Sequence, residues 1–263
     1  KDGHPSWIEV HDVAPDQNND DFIAEPVMAF GGVIVPPPGY FKRVREICDR
    51  HEVALIFDEV TTGFGRVGAW FAAIALDVTP DIMTLSKGIN SGYLPLGATL
   101  CSEKIYDAFL SDDSANQGAG WVNQGVFAHG STTDGHPAAA ASAIANIRII
   151  EEEELVENAR TVGAQLMKGL VGLEALGCVG EVRGQGLLIA IECIEGPDDK
   201  TPMNLDSVAM LNLRLAHAGL LTYCVGHCIM LVPPLVLSRE QAEEIIAILT
   251  RTFKRIDRMM GHR

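Results

Sequence analysis

Apolar residues run without a break from Val53 to Phe57, and Asp58 and Glu59 follow at once. So short an unbroken run, closed by polar residues, predicts a central parallel strand covered on both faces. The grammar recurs along the chain. Phe22-Ile23-Ala24 reads as a short strand ending at Glu25-Pro26, and Ile82 to Leu85 as another ending at Ser86-Lys87-Gly88. "LGATLCS" is a further strand. Helical spacing covers Phe41 to His51, and "MAFGGVIVPPPGY" reads as a loop rich in glycine and proline. Strands alternating with helices predict an α/β layer around a largely parallel sheet.

From Pro137 the pattern changes. Ala138 to Ile150 is Ala-rich and helical, and helix signals continue from Leu155 to Leu173. "GLLIAIECI", "LLTYCV" and "IMLVPPL" read as strands. Ser238 is placed to cap a last helix, with Glu240 and Glu243 in its first turns. The expected organisation is residues 1–156 as part of a large α/β domain and 157–263 as a smaller C-terminal α+β domain.

The chain has 263 residues, 47% of them hydrophobic, and a formal charge of −15 from 20 basic and 35 acidic residues. That balance argues against nucleic acid as a partner, and no apolar run reaches the length of a membrane span. The 6 cysteines are scattered, which fits reduced thiols in a cytoplasmic enzyme better than a disulfide framework. Cys224, His227 and Cys228 lie close together, but no second cluster completes a tetrahedral set, so no metal is expected. The opening residues, "KDGHPSWIEV", carry neither a signal-peptide pattern nor an initiator Met and read as the middle of a longer chain.

In open α/β sheets, ligands bind outside the carboxyl ends of the strands. Glu25, Asp58 and Lys87 all stand at such ends. Alternation along an extended segment puts Asp58 and Val60 on one face and turns Glu59 away. An acid beside a small branched apolar group can hold a flat heteroaromatic cation. A lone Asp58 is also an ordinary strand-end acid. Lys87 can be a surface charge, a phosphate ligand or a Schiff-base nucleophile. Taken with Asp58 on a neighbouring strand end, the Schiff-base reading is favoured, because pyridoxal phosphate chemistry needs a lysine imine and an acid on the pyridine nitrogen. His129 and His136 have no nucleophile or metal set beside them and read as structural. For Arg66 and Arg183, loop packing and ion pairing is the preferred reading.

The segments "FIAEPVMAFGGVIVPPPGY", "FDEVTTGFGRVGAWF", "PDIMTLSKGINSGYLPLGA" and "HGSTTDGHPAAAASA", in this order, resemble signature segments of class III pyridoxal-phosphate-dependent aminotransferases, closest to the omega-amino acid–pyruvate group. The resemblance runs from about Phe22 to the C-terminus. It implies PLP-dependent transferase fold type I, pyridoxal 5′-phosphate as cofactor, and ping-pong transfer of an amino group from an amine or omega-amino acid to a keto acid or aldehyde. Racemisation or decarboxylation on the same fold, or a non-catalytic homologue, are the alternatives. By the resemblance Lys87 carries the cofactor as an imine and moves protons, Asp58 holds the pyridinium N–H, and Val60 packs on the ring. Thr132 reaches the phosphate of a partner subunit's cofactor, which implies a homodimer or higher homo-oligomer. Glu25 lies near the substrate.

The chain departs from that pattern in two places. The glycine-rich phosphate loop and the aromatic residue that stacks on the pyridine ring are absent from it. Where omega-group relatives read roughly Leu-Ile-x-Arg-x-x-Gly-Asp, this chain has "LLTYCVGH". Tyr223 takes the place of the arginine, and a phenol cannot clamp a carboxylate with two parallel hydrogen bonds. Tyr223 is therefore expected to meet the substrate: either it favours an amine or another substrate without that carboxylate, or another arginine takes the missing role.

Overall fold

Val53 to Phe57 does build a central strand, and the computed structural model describes it within residues 21–110, 129–198 and 200–261. Four strands form the first sheet in the order β1 (Asp21–Ala24), β2 (Ala54–Asp58), β3 (Ile82–Leu85), β4 (Ala98–Cys101). β1, β2 and β3 are parallel, and β4 is antiparallel to β3. All three parallel strands therefore end on the same side of the sheet. Leu55 and Phe57 of β2 are fully buried. They share a core with Phe41, Val44 and Cys48 of α1 (Tyr40–His51), and Phe41 meets Phe57 edge-on with ring centroids 4.9 Å apart.

Asp81 anchors this layer. Its carboxylate accepts hydrogen bonds from Arg45 Nη1 (2.7 Å) on α1 and from the Leu55 backbone N–H (2.8 Å) on β2. Partial burial disfavours the charge, but the Leu55 hydrogen bond and the Arg45 guanidinium outweigh it and hold the Asp81 pKa below the usual carboxylate value. A depressed pKa means stability that is present above about pH 4, the unfolded value, and lost as pH falls through the lower folded one. Asp81→Ala is expected to cost about 2 kcal/mol in urea unfolding at neutral pH. The gap from wild type should narrow as the pH falls below 4.

After β4 and α3 (Glu103–Leu110), the described chain resumes ahead of α4 (Pro137–Glu152) and α5 (Leu155–Leu170). The second sheet is antiparallel throughout. Its order is β5 (Val179–Gln185), β6 (Leu188–Cys193), β8 (Cys228–Leu231), β7 (Tyr223–Val225), with α6 (Leu205–His217) between β6 and β7. The continuous apolar run in β6 has a plain cause: both faces are covered. Ile189, Ile191 and Cys193, with Ile229 and Leu231 of β8, join the core formed with α5, α6 and the last helix α7 (Arg239–Met259). Leu188, Ala190, Cys228 and Met230 point the other way, onto Val27, Ala29 and Val33 from the loop after β1. Ser238 caps α7 in a capping box: Gln241 N–H donates to Ser238 Oγ, and Ser238 N–H donates to Gln241 Oε1. Two segments unread in the sequence, β5 and α6, complete this half.

The halves interlock at Gly186. Its φ of +59° suits glycine, and a Cβ there would lie 2.4 Å from the carbonyl carbon of Val67. Leu187 N–H donates to Arg66 O (3.0 Å), while Arg66 Nη1 donates to the carbonyls of Leu187 (3.0 Å) and Pro233 (2.6 Å). Burial lowers the Arg66 pKa to about 10. The arginine works here as a tie between three chain segments. Among the described residues no helix is long and apolar enough to cross a membrane.

Candidate active site

The two carboxylates at the end of β2 separate as strand alternation requires. Glu59 is fully buried. Its Oε1 accepts from Ala73 N–H (2.7 Å), and its Oε2 accepts from Ala72 N–H (2.8 Å) and Thr62 Oγ1 (2.6 Å). It thus satisfies the first donors of the short helix α2 (Ala72–Leu76). Burial pushes the Glu59 pKa up, against the hydrogen bonds from Thr62, Ala73 and Ala72. Asp58 faces the other side and is half-buried. Its Oδ1 accepts from Val60 N–H (3.0 Å) and from Thr84 Oγ1 (3.3 Å) on β3. Oδ2 makes no hydrogen bond among the described residues, so one oxygen is fixed and one is available.

Lys87 follows β3, the strand paired with β2 through the Asp58–Thr84 register. Its backbone is held at φ +37°, a left-handed conformation that costs an ordinary residue about 1 kcal/mol. The surroundings impose it. Ser86 Oγ donates to Leu96 O (3.0 Å), and Asn146 Nδ2 on α4 donates to the carbonyls of Gly88 (2.9 Å) and Ile89 (3.2 Å). A Cβ at Gly88 would meet Phe64 Cβ at 2.9 Å. The Lys87 side chain is exposed, donates to Thr61 Oγ1 (2.6 Å), and forms no ion pair among the described residues. A strained backbone thus presents an amine with no ion pair among the described residues, on the strand next to the one that ends at Asp58.

The loop after β1 brings an aromatic ring to Lys87. Glu25 Oε2 accepts from Ala29 N–H (3.0 Å) and steadies a turn closed by reciprocal Met28–Ile34 backbone hydrogen bonds, each 3.0 Å. Gly32 and Val33 both have positive φ, +95° and +55°. Phe30 stands on this turn, 60% exposed, with its ring centroid 5.2 Å from Lys87 Nζ. Its edge meets Tyr223, itself 60% exposed, at 6.5 Å between centroids. Phe30 therefore links the expected lysine to the expected substrate residue. Neither Phe30 nor Thr61 was singled out from the sequence. The available signal was an aromatic residue flanking paired glycines in "MAFGG" and a hydroxyl next to Val60.

Thr132 lies exposed in the turn before α4, where Ser131 N–H and Oγ both donate to Asp134, each at 2.7 Å. Among the described residues no hydrogen bond or ion pair joins Thr132 to Lys87. His136 occupies the N-cap of α4 without a side-chain cap bond. Glu192, His227 and Cys228 offer ligand atoms within 4.8 Å of one another, whereas Cys224 does not join them. A guanidinium already sits among these atoms. Arg183 Nη1 donates to Glu192 and to Glu181 (2.8 Å), Nη2 to Cys228 Sγ (3.4 Å), and Nε to Gly32 O (2.8 Å). Burial also raises the Cys228 thiol pKa, against the Arg183 charge. The cluster is an ion-pair network that pins the Phe30 turn to the second sheet.

A family model described as Aminotransferase class-III matches residues 9–253. Taurine–pyruvate aminotransferase of Bilophila wadsworthia is 36% identical over 250 residues, 91% of this chain and 53% of that protein. Adenosylmethionine-8-amino-7-oxononanoate aminotransferase of Staphylococcus aureus is 38% identical over 244 residues, 91% of this chain and 52% of that protein. Among solved structures, an amine transaminase from an uncultivated Pseudomonas species in its PLP-bound form superposes with a TM-score of 0.81 at 43% identity, covering 89% of this chain and 51% of that one. A transaminase from the marine bacterium Virgibacillus gives 0.82 at 37% identity, covering 92% and 54%. The chain thus spans about half the length of the relatives it matches.

Proposed function

The chain belongs to the class-III aminotransferase family, and from that premise we propose that it forms the lysine-bearing half of a pyridoxal-phosphate-dependent aminotransferase. The observation that carries this reading is the placement of Asp58 and Lys87 at the ends of paired parallel strands, each without an ion pair among the described residues. The donor set suits pyridoxal phosphate: an amine, a carboxylate with an unused oxygen, and the half-buried Val60 beside it. When bound, the pyridine ring supplies an electron sink for the substrate carbon that loses its proton.

The residues then divide the work. Asp58 Oδ2 would accept the ring N–H, with Val60 N–H and Thr84 Oγ1 fixing the carboxylate's orientation. Val60 would pack on the ring. Lys87 Nζ, held by Thr61, would hold the cofactor and move protons at the substrate carbon. Thr132 would donate its hydroxyl to the cofactor phosphate of a partner subunit, and the proposed assembly is accordingly a homodimer or larger. Residues 1–156 belong to the large domain and 157–263 to the small one, and the cytoplasm is the proposed location.

The substrates are an amine donor and a keto acid acceptor. Phe30 and Tyr223 form an aromatic edge beside Lys87 and present no guanidinium, which favours an apolar amine over an omega-amino acid. Phe30→Ala is expected to lower the kcat/KM ratio between an arylalkyl amine and β-alanine about tenfold. An unchanged ratio removes Phe30 from substrate selection. The activity itself is tested by supplying an amine and pyruvate to the full-length protein. Transamination yields alanine, whereas racemisation and decarboxylation yield none.

A further inference from the structure

The packing of α6 against α7 leaves a groove of about 480 Å³ on the helical side of the second sheet. Met210, Leu213, Arg214 and His217 recur at three- and four-residue steps on α6 and so make one stripe. Arg251 and Arg255, one turn apart on α7, line the same groove. No carboxylate is among its described lining residues.

That is unusual for a chain with 35 acidic and 20 basic side chains. None of these three arginines makes an ion pair or a side-chain hydrogen bond among the described residues, and Arg214 Nε is shielded from solvent with no partner. Compensation of helix dipoles accounts for part of the cluster. Arg214 and His217 lie in the last turn of α6. On α7 that place belongs to Arg258, and Arg251 and Arg255 come earlier. Cations gathered in one concavity focus a positive field and draw anions. A single carboxylate would satisfy one guanidinium, while a phosphate or diphosphate can engage several at once. The rest of the lining is apolar: Met210 and Leu213 are each 51% exposed and offer a surface for a flat or apolar group.

We propose that the α6–α7 groove is a binding site for a small organic phosphate of the nucleoside diphosphate class, with its phosphates on Arg214, Arg251 and Arg255 and its base against Met210 and Leu213. The site is separate from Lys87 and does not depend on the reaction proposed above.

The test is calorimetric titration of the cofactor-loaded full-length protein with ADP, inorganic pyrophosphate and adenosine. The loaded state keeps the Lys87 site filled. ADP is expected to bind, pyrophosphate to bind at least threefold more weakly, and adenosine to give no signal. The double variant Arg251→Gln/Arg255→Gln, both exposed positions, is expected to weaken ADP at least tenfold while leaving the transamination rate unchanged. The proposal is overturned if ADP does not bind at millimolar concentration, or if the double variant binds it as wild type does. Equal affinity for pyrophosphate and ADP overturns the part assigned to Met210 and Leu213.

Discussion

Lys87→Ala is expected to lower transamination by about 10⁴-fold or more, measured as alanine formed from pyruvate. The change removes both the amine that attaches the cofactor and the base that moves the proton. Lys87→Arg is expected to be equally inactive, since a guanidinium keeps its charge at any working pH and cannot take up a proton. The folded state should not suffer with the activity. The Lys87 side chain is exposed and among the described residues makes one hydrogen bond, to Thr61, while its backbone sits at φ +37°. Lys87→Gly relieves that conformation and is expected to raise stability by about 1 kcal/mol while abolishing turnover. A variant at this position that keeps the wild-type rate removes Lys87 from the chemistry.

Asp58→Asn is expected to reduce kcat by about 10² to 10³, with the melting temperature nearly unchanged. The substitution keeps the shape and the contacts to Val60 and Thr84 but removes the negative charge that a protonated ring nitrogen requires. Its neighbour behaves in the opposite way. Glu59 accepts three hydrogen bonds in a fully buried position. In Glu59→Gln an amide donor must face a backbone or hydroxyl donor, so about 1–3 kcal/mol of stability is lost. Adjacent acids that split this cleanly, one into rate and one into stability, are what opposite faces of a strand end predict. Equal effects of both substitutions on the rate contradict the assignment.

The strand ends were the legible part of this site. β1, β2 and β3 follow apolar runs closed by polar residues, and Glu25, Asp58 and Lys87 stand at the ends where ligands bind. The alternation of Asp58, Glu59 and Val60 was also readable, but the burial of Glu59 against α2 was not, because Ala72 and Ala73 lie beyond an intervening turn. β5, "VGEVRGQ", carries two glycines and two charges, so local propensity does not announce it. Pairing with β6 makes it a strand. α6 was readable in principle: Asn204 caps it by accepting from Ser207 N–H (2.9 Å), and Val208, Leu211 and Leu215 bury one face. The grouping of Phe30, Lys87 and Tyr223 had no local signal, since it joins a loop of the first half, a strand end and a strand of the second. Arg183 explains how the parts stay together. It ties the Phe30 turn to the sheet that carries Tyr223, and it occupies the ground between Glu192 and Cys228 that ligand spacing alone leaves open to a metal.

The central claim is that Lys87 and Asp58 hold one pyridoxal phosphate between neighbouring strand ends. Borohydride reduction of the loaded full-length protein, followed by peptide mass spectrometry, tests it most directly, because reduction fixes an imine as a stable secondary amine. The account predicts the cofactor's mass on the peptide that contains Lys87, and no such adduct in Lys87→Ala. An adduct on another lysine, or none on the wild-type protein, contradicts it.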